Sequence, residues 1–310
     1  MRLEAFLAHP ALEGLREALQ EPPGGHVVAE GHRLLSTRQP KGVKLSARAR
    51  PQGLWVELEL AQGLSLPGPL HLCFALLRPR GLQRVNLRLL AGRTSRATII
   101  SHCIFPNPLG IRHLMRAQVL LQEGAELSYE QIHIHGPEGG LVVEPRAQVE
   151  LQRKACYRAD FALLQGRAGR LSIHYVVKAQ EEAAAELVAR VQARGQDQVC
   201  LREEIHLLGK ASRGLIKARL ALRERAQGLI EGITVGAAPQ ARGHVDCLEV
   251  LAQEAQGRAV PMVEVRHPLA RVTHEAALGR LQRAQLEALM ARGLSPQEAE
   301  EMLIQGILRK

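Results

Sequence analysis

"EGAELSYEQIHIHGPEGGLVVEPRAQVELQRKACYRADFALLQGRAGRLSIHYVV" runs from Glu123 to Val177. Strand-like runs such as "ELSYEQIHI", "QVELQRKACY" and "RLSIHYVV" alternate here with short turn-like units. The units recur: "EGAEL" around Ala125, "PRAQVEL" around Ala147 and "GRAGRL" around Ala168, then "LVARV" around Ala189 and "GKASRG" around Ala211. Successive alanines are 22, 21, 21 and 22 residues apart. A fixed period with strands is the mark of a solenoid, in which each coil buries its face only against its neighbours. Small corner residues let successive coils approach closely. The expected fold is mainly β, a parallel β-helix; coincidence in an Ala- and Gly-rich chain is the competing reading. One stretch within the period, "AQEEAAAELVARVQARG" (179–195), has high helix propensity. It is either a strand imposed by stacking or an inserted helix, and the continuing period favours a strand.

Outward from this stretch the chain divides into three zones. Residues 1–25 form an N-terminal helical segment: Leu3, Phe6, Leu7, Leu12, Leu15 and Leu19 share related faces, and "EPPGG" ends the helix. Residues 26–270 are mainly extended, with "LWVELEL" (54–60), "LHLCFALL" (70–77), "VNLRLL" (85–90) and "ATIISHCIF" (97–105) separated by Gly and Pro. Residues 271–310 form a C-terminal helical hairpin, with helix expected from 274 onward. Gly293 sits past the end of its first helix. Ser295, Pro296 and Glu298 make a capping box with Pro at the first helical position of the second.

Composition sets the outer bounds. The chain has 310 residues, 46% hydrophobic and 23% charged, the profile of a globular protein. No apolar run is long enough to span a membrane, and the N-terminus, with Glu4 and Pro10, lacks a signal peptide's pattern. A cytoplasmic location is expected. The net charge of +10 raises nucleic acid as a partner, but the charge is scattered and aromatics are only 3%, too few to stack bases. An acidic protein partner fits such a surface as well.

Five cysteines stand far apart, without a CxxC pair, so neither a disulfide framework nor a structural zinc site is expected. Cys103, in "SHCIFPNPLG" (101–110), follows His102 at a strand end beside a turn, where a thiol is reachable and an imidazole favours thiolate. A packed core cysteine is the plainer reading. In "GHVDCLEVL" (243–251), strand parity puts Cys247 and Glu249 on one face and Asp246 on the other. Two readings stand there: an inward, packed thiol, or an outward one available as a soft ligand. His274 and Glu275 would face opposite ways on a strand. At a strand-to-helix junction they could share a cavity, or Thr273 could cap a helix with Glu275 in its first turn. No phosphate-binding GxxxxGK[ST] motif, nucleophile elbow or HExxH pair occurs, so no nucleotide site is expected in this chain and none of these enzyme signatures is present.

The tail "HEAALGRLQRAQLEALMARGLSPQEAEEMLIQGIL" (274–308) resembles the C-terminal signature of the SufB/SufD family, through His274, Glu275, Ala276, Gly279, Leu286, Leu289, Arg292, Gly293, Ala299 and Gly306. "ARGHVDCLEVL" (241–251) looks like the family's segment with a core cysteine, and "SHCIFPN" with "RAQVLLQEGAELSYEQI" (116–132) is similar to that around its upstream cysteine. The resemblance spans roughly 85–310 and points to compact members of the family. It implies a right-handed parallel β-helix with helical ends, acting as a non-enzymatic scaffold of iron–sulfur cluster assembly with a SufC-like ABC ATPase, as a homodimer or paired with a SufB/SufD-like paralogue. By the same resemblance Cys103 would accept sulfur. Cys247, Glu275 and His274 would hold a transient cluster. Leu286, Leu289, Arg292, Gly293, Ala299, Leu303 and Gly306 would dock the ATPase. The alternatives are a polysaccharide-acting β-solenoid enzyme, for which the aromatic surface that sugars need is lacking, and a basic nucleic-acid-binding protein.

Overall fold

A computed structural model describes residues 3–20 and 24–309. The chain winds as a flattened parallel β-solenoid whose successive strands fall alternately into two facing sheets. One sheet has ten strands. In chain order these are β1 (His26–Glu30), β2 (Arg33–Arg38), β5 (Leu70–Ala75), β7 (Arg96–Phe105), β9 (Glu126–His135), β11 (Cys156–Gln165), β13 (Ala184–Ala193), β15 (Arg213–Leu222), β17 (Arg242–Leu251) and β19 (Arg271–Arg280). The other has nine: β3 (Val43–Arg50), β4 (Gly53–Leu60), β6 (Arg80–Ala91), β8 (Gly110–Leu121), β10 (Leu141–Leu151), β12 (Arg170–Ala179), β14 (Gln198–Leu207), β16 (Gln227–Gly236) and β18 (Gln256–Val265). Among the described residues only β1–β2 and β3–β4 pair antiparallel, so both sheets begin with a hairpin edge; the other strand pairings are parallel.

The parity of each strand builds the core. In β17, Val245, Cys247 and Glu249 point between the sheets and are at most 1% exposed, while Asp246 faces out and pairs with Arg219. In-register stacking places like parity on like faces in every coil. The interior is therefore one continuous apolar column from Val27 to Ala270, and its fully buried side chains include Leu54, Leu72, Phe105, Phe161 and Leu220.

The coil is longer than the 22-residue spacing suggests. Paired residues on neighbouring coils are 28–30 apart from β6 onward, as in Arg80↔Gly110, Cys156↔Ala184 and Arg242↔Arg271, except at the register shift in β11, where Gln165 pairs with Ile134. The alanine period has a simple origin: Ala125, Ala168 and Ala211 lie in corners, whereas Ala147 and Ala189 lie in the middle of β10 and β13. Two such steps make one and a half coils. The true corner series is Ala125, Ala155, Ala183, Ser212 and Ala241, each fully buried. The amide of each donates to the carbonyl three residues back, at 3.0–3.2 Å. Ahead of these corners Lys154, Glu182, Ala211 and Gln240 adopt positive φ, as does Gly124. That is the third position of a type II turn, which glycine normally fills.

Residues 184–193 form β13, as the continuing period favours. Parallel partners on both sides, β11 and β15, outweigh local helix propensity of a few tenths of a kcal/mol per residue. The N-terminal helical segment is broken at Pro10 into α1 (Leu3–Leu7), a 3-10 turn and α2 (Glu13–Gln20); residues 21–23 of "EPPGG" lie outside the described residues. Phe6, Leu12, Leu15 and Leu19 pack on Val28, Cys73, Ala75 and Ile104, the outer face of the ten-stranded sheet. At the other end helix begins later than expected from 274, because Arg271–Arg280 pairs in parallel with β17. Helices α3 (Arg283–Met290) and α4 (Pro296–Ile307) follow, with Gly293 at φ 97° and both capping-box bonds between Ser295 and Glu298 formed. Ile304 and Leu308 pack on Ala221, Arg190 donates to the Leu308 carbonyl, and Arg223 pairs with Glu301 at 2.9 Å. Both helical segments thus cover the ten-stranded sheet.

Candidate site between the sheets

Among the polar side chains that interrupt the apolar column, two groups contain the candidate cysteines. The first surrounds Cys103 in β7, which is fully buried. Its sulfur lies 3.6 Å from His113 Nε2, and His113 Nδ1 is 2.9 Å from Gln83 Oε1. Gln83 is held by donating to the carbonyls of Gly31 and Ala75. His133 and His135 stand in the next coil, 3.2 Å apart between ring nitrogens, and His135 Nδ1 is 2.8 Å from the Arg167 carbonyl. Burial lowers these imidazoles strongly, His113 to about 3 and His135 to about 4, so they are neutral at physiological pH.

The geometry corrects the reading of Cys103 as a reachable thiol activated by His102. His102 points the other way, out of the sheet, and stacks on His71. Burial raises the Cys103 thiol to about 12, so it stays protonated. Its neighbouring imidazole is His113, which reaches it from the facing sheet.

The second group lies in the last coils around Cys247 in β17. Its side chain is inward and 1% exposed, which excludes the outward, partly exposed thiol. Opposite it stands Gly232 of β16, where a Cβ would lie 3.4 Å from the sulfur. Gly232 pairs in register with Glu203 of β14. Glu203 and Glu249 are both buried at inward positions, and Glu203 has no hydrogen-bond partner for either oxygen. Burial pushes Glu203 up to about 8 and Glu249 to about 7. Cys247 rises to about 12, through burial first and then the neighbouring carboxylates.

His274 and Glu275 are placed in mid-strand, not at a helix junction, and both are exposed. In the β17–β19 register Cys247 pairs with Ala276, His274 with Val245 and Glu275 with Asp246. Paired residues of parallel strands share a face. His274 is therefore on the inward side with Cys247, whereas Glu275 is on the outer side with Asp246. One chain does not bring Glu275 to Cys247. Beyond β19 the end of the solenoid is open: no strand pairs with the outer edges of β18 and β19 among the described residues, and Met262, Val265, Leu269 and Leu278 are exposed there.

Sequence reasoning missed Gln83, His113, His133, His135 and Glu203 as members of these groups. Their signal is parity: in "QVCLREEIHL" (198–207), Glu203 occupies the same face as Val199, Leu201, Ile205 and Leu207. Of the residues matched to a docking role, Ala299 is buried against the chain's own body, Leu286, Leu289 and Leu303 are half-buried, and Arg292, Gly293 and Gly306 are exposed. Cys73 is a packed core residue and Cys156 is exposed. No helix among the described residues is long and apolar enough to cross a membrane.

A parallel β-solenoid with buried thiols, an open last coil and helices at both ends is the class of protein these features define. The chain belongs to the SufBD family: residues 80–307 match the SufBD core domain of the SUF system of iron–sulfur cluster assembly. It is 32% identical over 305 residues to an iron–sulfur cluster assembly SufBD family protein of Pyrococcus horikoshii, covering 98% of this chain and 93% of the relative. It is 30% identical over 292 residues to one of Methanocaldococcus jannaschii, covering 94% and 92%. A shorter match, 30% over 121 residues, joins it to the iron–sulfur cluster assembly protein SufD of Bacillus subtilis, covering 38% of this chain and 28% of that protein. The compact relatives expected from the sequence are present in these two archaeal proteins.

Proposed function

We propose that the protein is a non-enzymatic scaffold on which an iron–sulfur cluster is assembled, working with a SufC-like ABC ATPase. Family membership supports the pathway, and the placement of Cys247 beneath the open last coil supports the site. Iron and sulfide are cargo here. A scaffold must release what it holds, and a mixed ligand set makes a cluster labile. Within one chain the inward candidates are Cys247 and His274. The remaining ligands come from a second subunit, a copy or a paralogue, that covers the unpaired edges of β18 and β19 and their exposed apolar residues. Glu275 belongs to that interface rather than to the inner face. Cys103 keeps the role of sulfur acceptor on the resemblance alone; its burial requires the coil corner at Pro106–Pro108 to open before a donor reaches it.

The ATPase docks on the exposed side of α3–α4, where Met290 and Met302 are 41% and 52% exposed beside half-buried Leu286, Leu289 and Leu303. The site is tested in the purified complex with the ATPase: Cys247→Ser abolishes the cluster absorbance that wild type gains on anaerobic reconstitution with iron and sulfide. Unchanged absorbance refutes the assignment. Docking is tested with Met290→Asp/Met302→Asp, which leaves the inner contacts of Ile304 and Leu308 intact; retained co-purification with the ATPase refutes it.

A further inference from the structure

Charge that is scattered along the chain is gathered by the coil. Strands β6, "RGLQRVNLRLLA", and β8, "GIRHLMRAQVLL", carry five arginines and no acidic residue. Arg80, Arg84 and Arg88 lie four residues apart on β6, and so do Arg112 and Arg116 on β8. An even spacing on a strand keeps all five on the outer face, with Gln83, Val85, His113 and Met115 buried beneath. Along each strand they stand about 13 Å apart, and adjacent strands are about 4.8 Å apart. Arg146 of β10 pairs in register with Arg116. Among the described residues no carboxylate lies within ion-pair distance of the five. Arg146 is paired with Glu144 on the same face at 3.7 Å, so the uncompensated charge is that of β6 and β8.

This face is also bare. Both helical segments sit on the ten-stranded sheet, and among the described residues no helix covers the outer side of the nine-stranded sheet. Beside the arginines runs a trough of about 740 Å³ lined by Leu90 and Leu120, with Arg88 of the cluster and the carboxylates Glu57, Glu59 and Glu150 also in its lining, Glu59 being paired with Lys44 at 3.0 Å. Arginine is suited to carboxylate and phosphate alike, so the rest of the surface decides. No Phe or Tyr lies on this face among the described residues, and Trp55 is covered by the Arg50 guanidinium 5.0 Å from its ring. The apolar side chains in the trough offer a uniformly charged phosphate backbone nothing, whereas they fit a peptide whose apolar anchor keeps its own carboxylates away from Glu57, Glu59 and Glu150.

We infer that the outer face of β6, β8 and β10 docks a segment of a partner protein that carries clustered carboxylates with an apolar anchor, the carboxylates on Arg84, Arg112 and Arg116 and the anchor against Leu90 and Leu120. This site is separate from the open end and from α3–α4, and it stands whether or not the scaffold reading holds.

The test uses the full chain and a fluorescent peptide of repeated Glu-Glu-Leu, followed by anisotropy over a KCl series, with polyglutamate and single-stranded RNA of equal length as comparison probes. Wild type binds the Glu-Glu-Leu peptide more tightly than either comparison, with an affinity that falls as salt rises. Arg84→Gln/Arg112→Gln/Arg116→Gln weakens it by about tenfold or more and flattens the salt dependence. Arg213→Gln/Arg242→Gln, on the opposite sheet, leaves it unchanged. Leu120→Ser weakens the Glu-Glu-Leu peptide but not polyglutamate. Equal loss in the two arginine variants, tighter binding of RNA, or no peptide binding near physiological ionic strength each overturns the inference.

Discussion

Replacing Glu203 by Gln removes one ionisable group from the interior, and the effect has a defined pH signature. The Glu203 carboxyl is 1% exposed, with no hydrogen-bond partner for either oxygen. Burial, with Asp160 adding repulsion, raises it from 4.5 to about 8. The folded state thus holds a proton that the unfolded chain releases. Stability from this group is fully present below about pH 4.5, declines as pH rises, and is lost by about pH 8. At 1.36 kcal/mol for each tenfold change in proton affinity, the ionised carboxylate costs at most about 5 kcal/mol in the fold. Glu203→Gln has nearly the same shape and never ionises. At about pH 4.5 the two proteins have similar stability, within the roughly 1 kcal/mol of a changed buried hydrogen-bonding group. At about pH 9 the variant is the more stable, by several kcal/mol and by up to about 10 °C in Tm for a chain of this size. The assay is thermal unfolding of both proteins from acid to alkaline pH by circular dichroism. The Tm difference cancels the titrating groups that do not face Glu203. Parallel Tm curves would refute the buried, uncompensated carboxyl.

Three further outcomes check other parts of the structure. With a thiol reagent on the native protein, exposed Cys156 reacts first and half-buried Cys200 more slowly, whereas Cys73, Cys103 and Cys247 wait for unfolding; peptide mapping of the label by mass spectrometry reads the order, and early labelling of Cys103 contradicts its enclosure. Ile304→Ala weakens the docking of α4 on Ala221 by about 2–3 kcal/mol, so limited proteolysis clips the tail sooner while the strand signal persists. Gly232→Ala puts a methyl 2.5 Å from a Val245 methyl; it costs about 1–3 kcal/mol in overpacking, measured by thermal melting, and unchanged stability argues against the close approach of β16 and β17.

Much of the architecture is local in origin. The strands and the capping box at Ser295 were legible because each rests on a pattern of a few neighbouring residues. The corners and the coil length were not, since alanines in corners and alanines in mid-strand, such as Ala147 and Ala189, look alike until strands are paired. For the site, parity already put Cys247 and Glu249 on one face, but it does not say which face is inside. That choice belongs to Gly232 and the other residues of the opposite sheet, which close over one side only. Residues 184–193 show the same limit from the other direction, where two strand neighbours overrule a helical composition.

The sequence by itself determined a stacked β-solenoid with helical ends, the family to which it belongs and the order of its cysteines, because alternation, turn chemistry and motif spacing are properties of the chain. Only the tertiary structure decided that Cys103 answers to His113 and not to adjacent His102, that Glu275 faces away from Cys247, and that arginines from separate strands form one surface. The physical reason is that in a solenoid each residue's nearest neighbours lie one coil of nearly thirty residues away or across the interior, and those contacts are set by register rather than by adjacency in the chain.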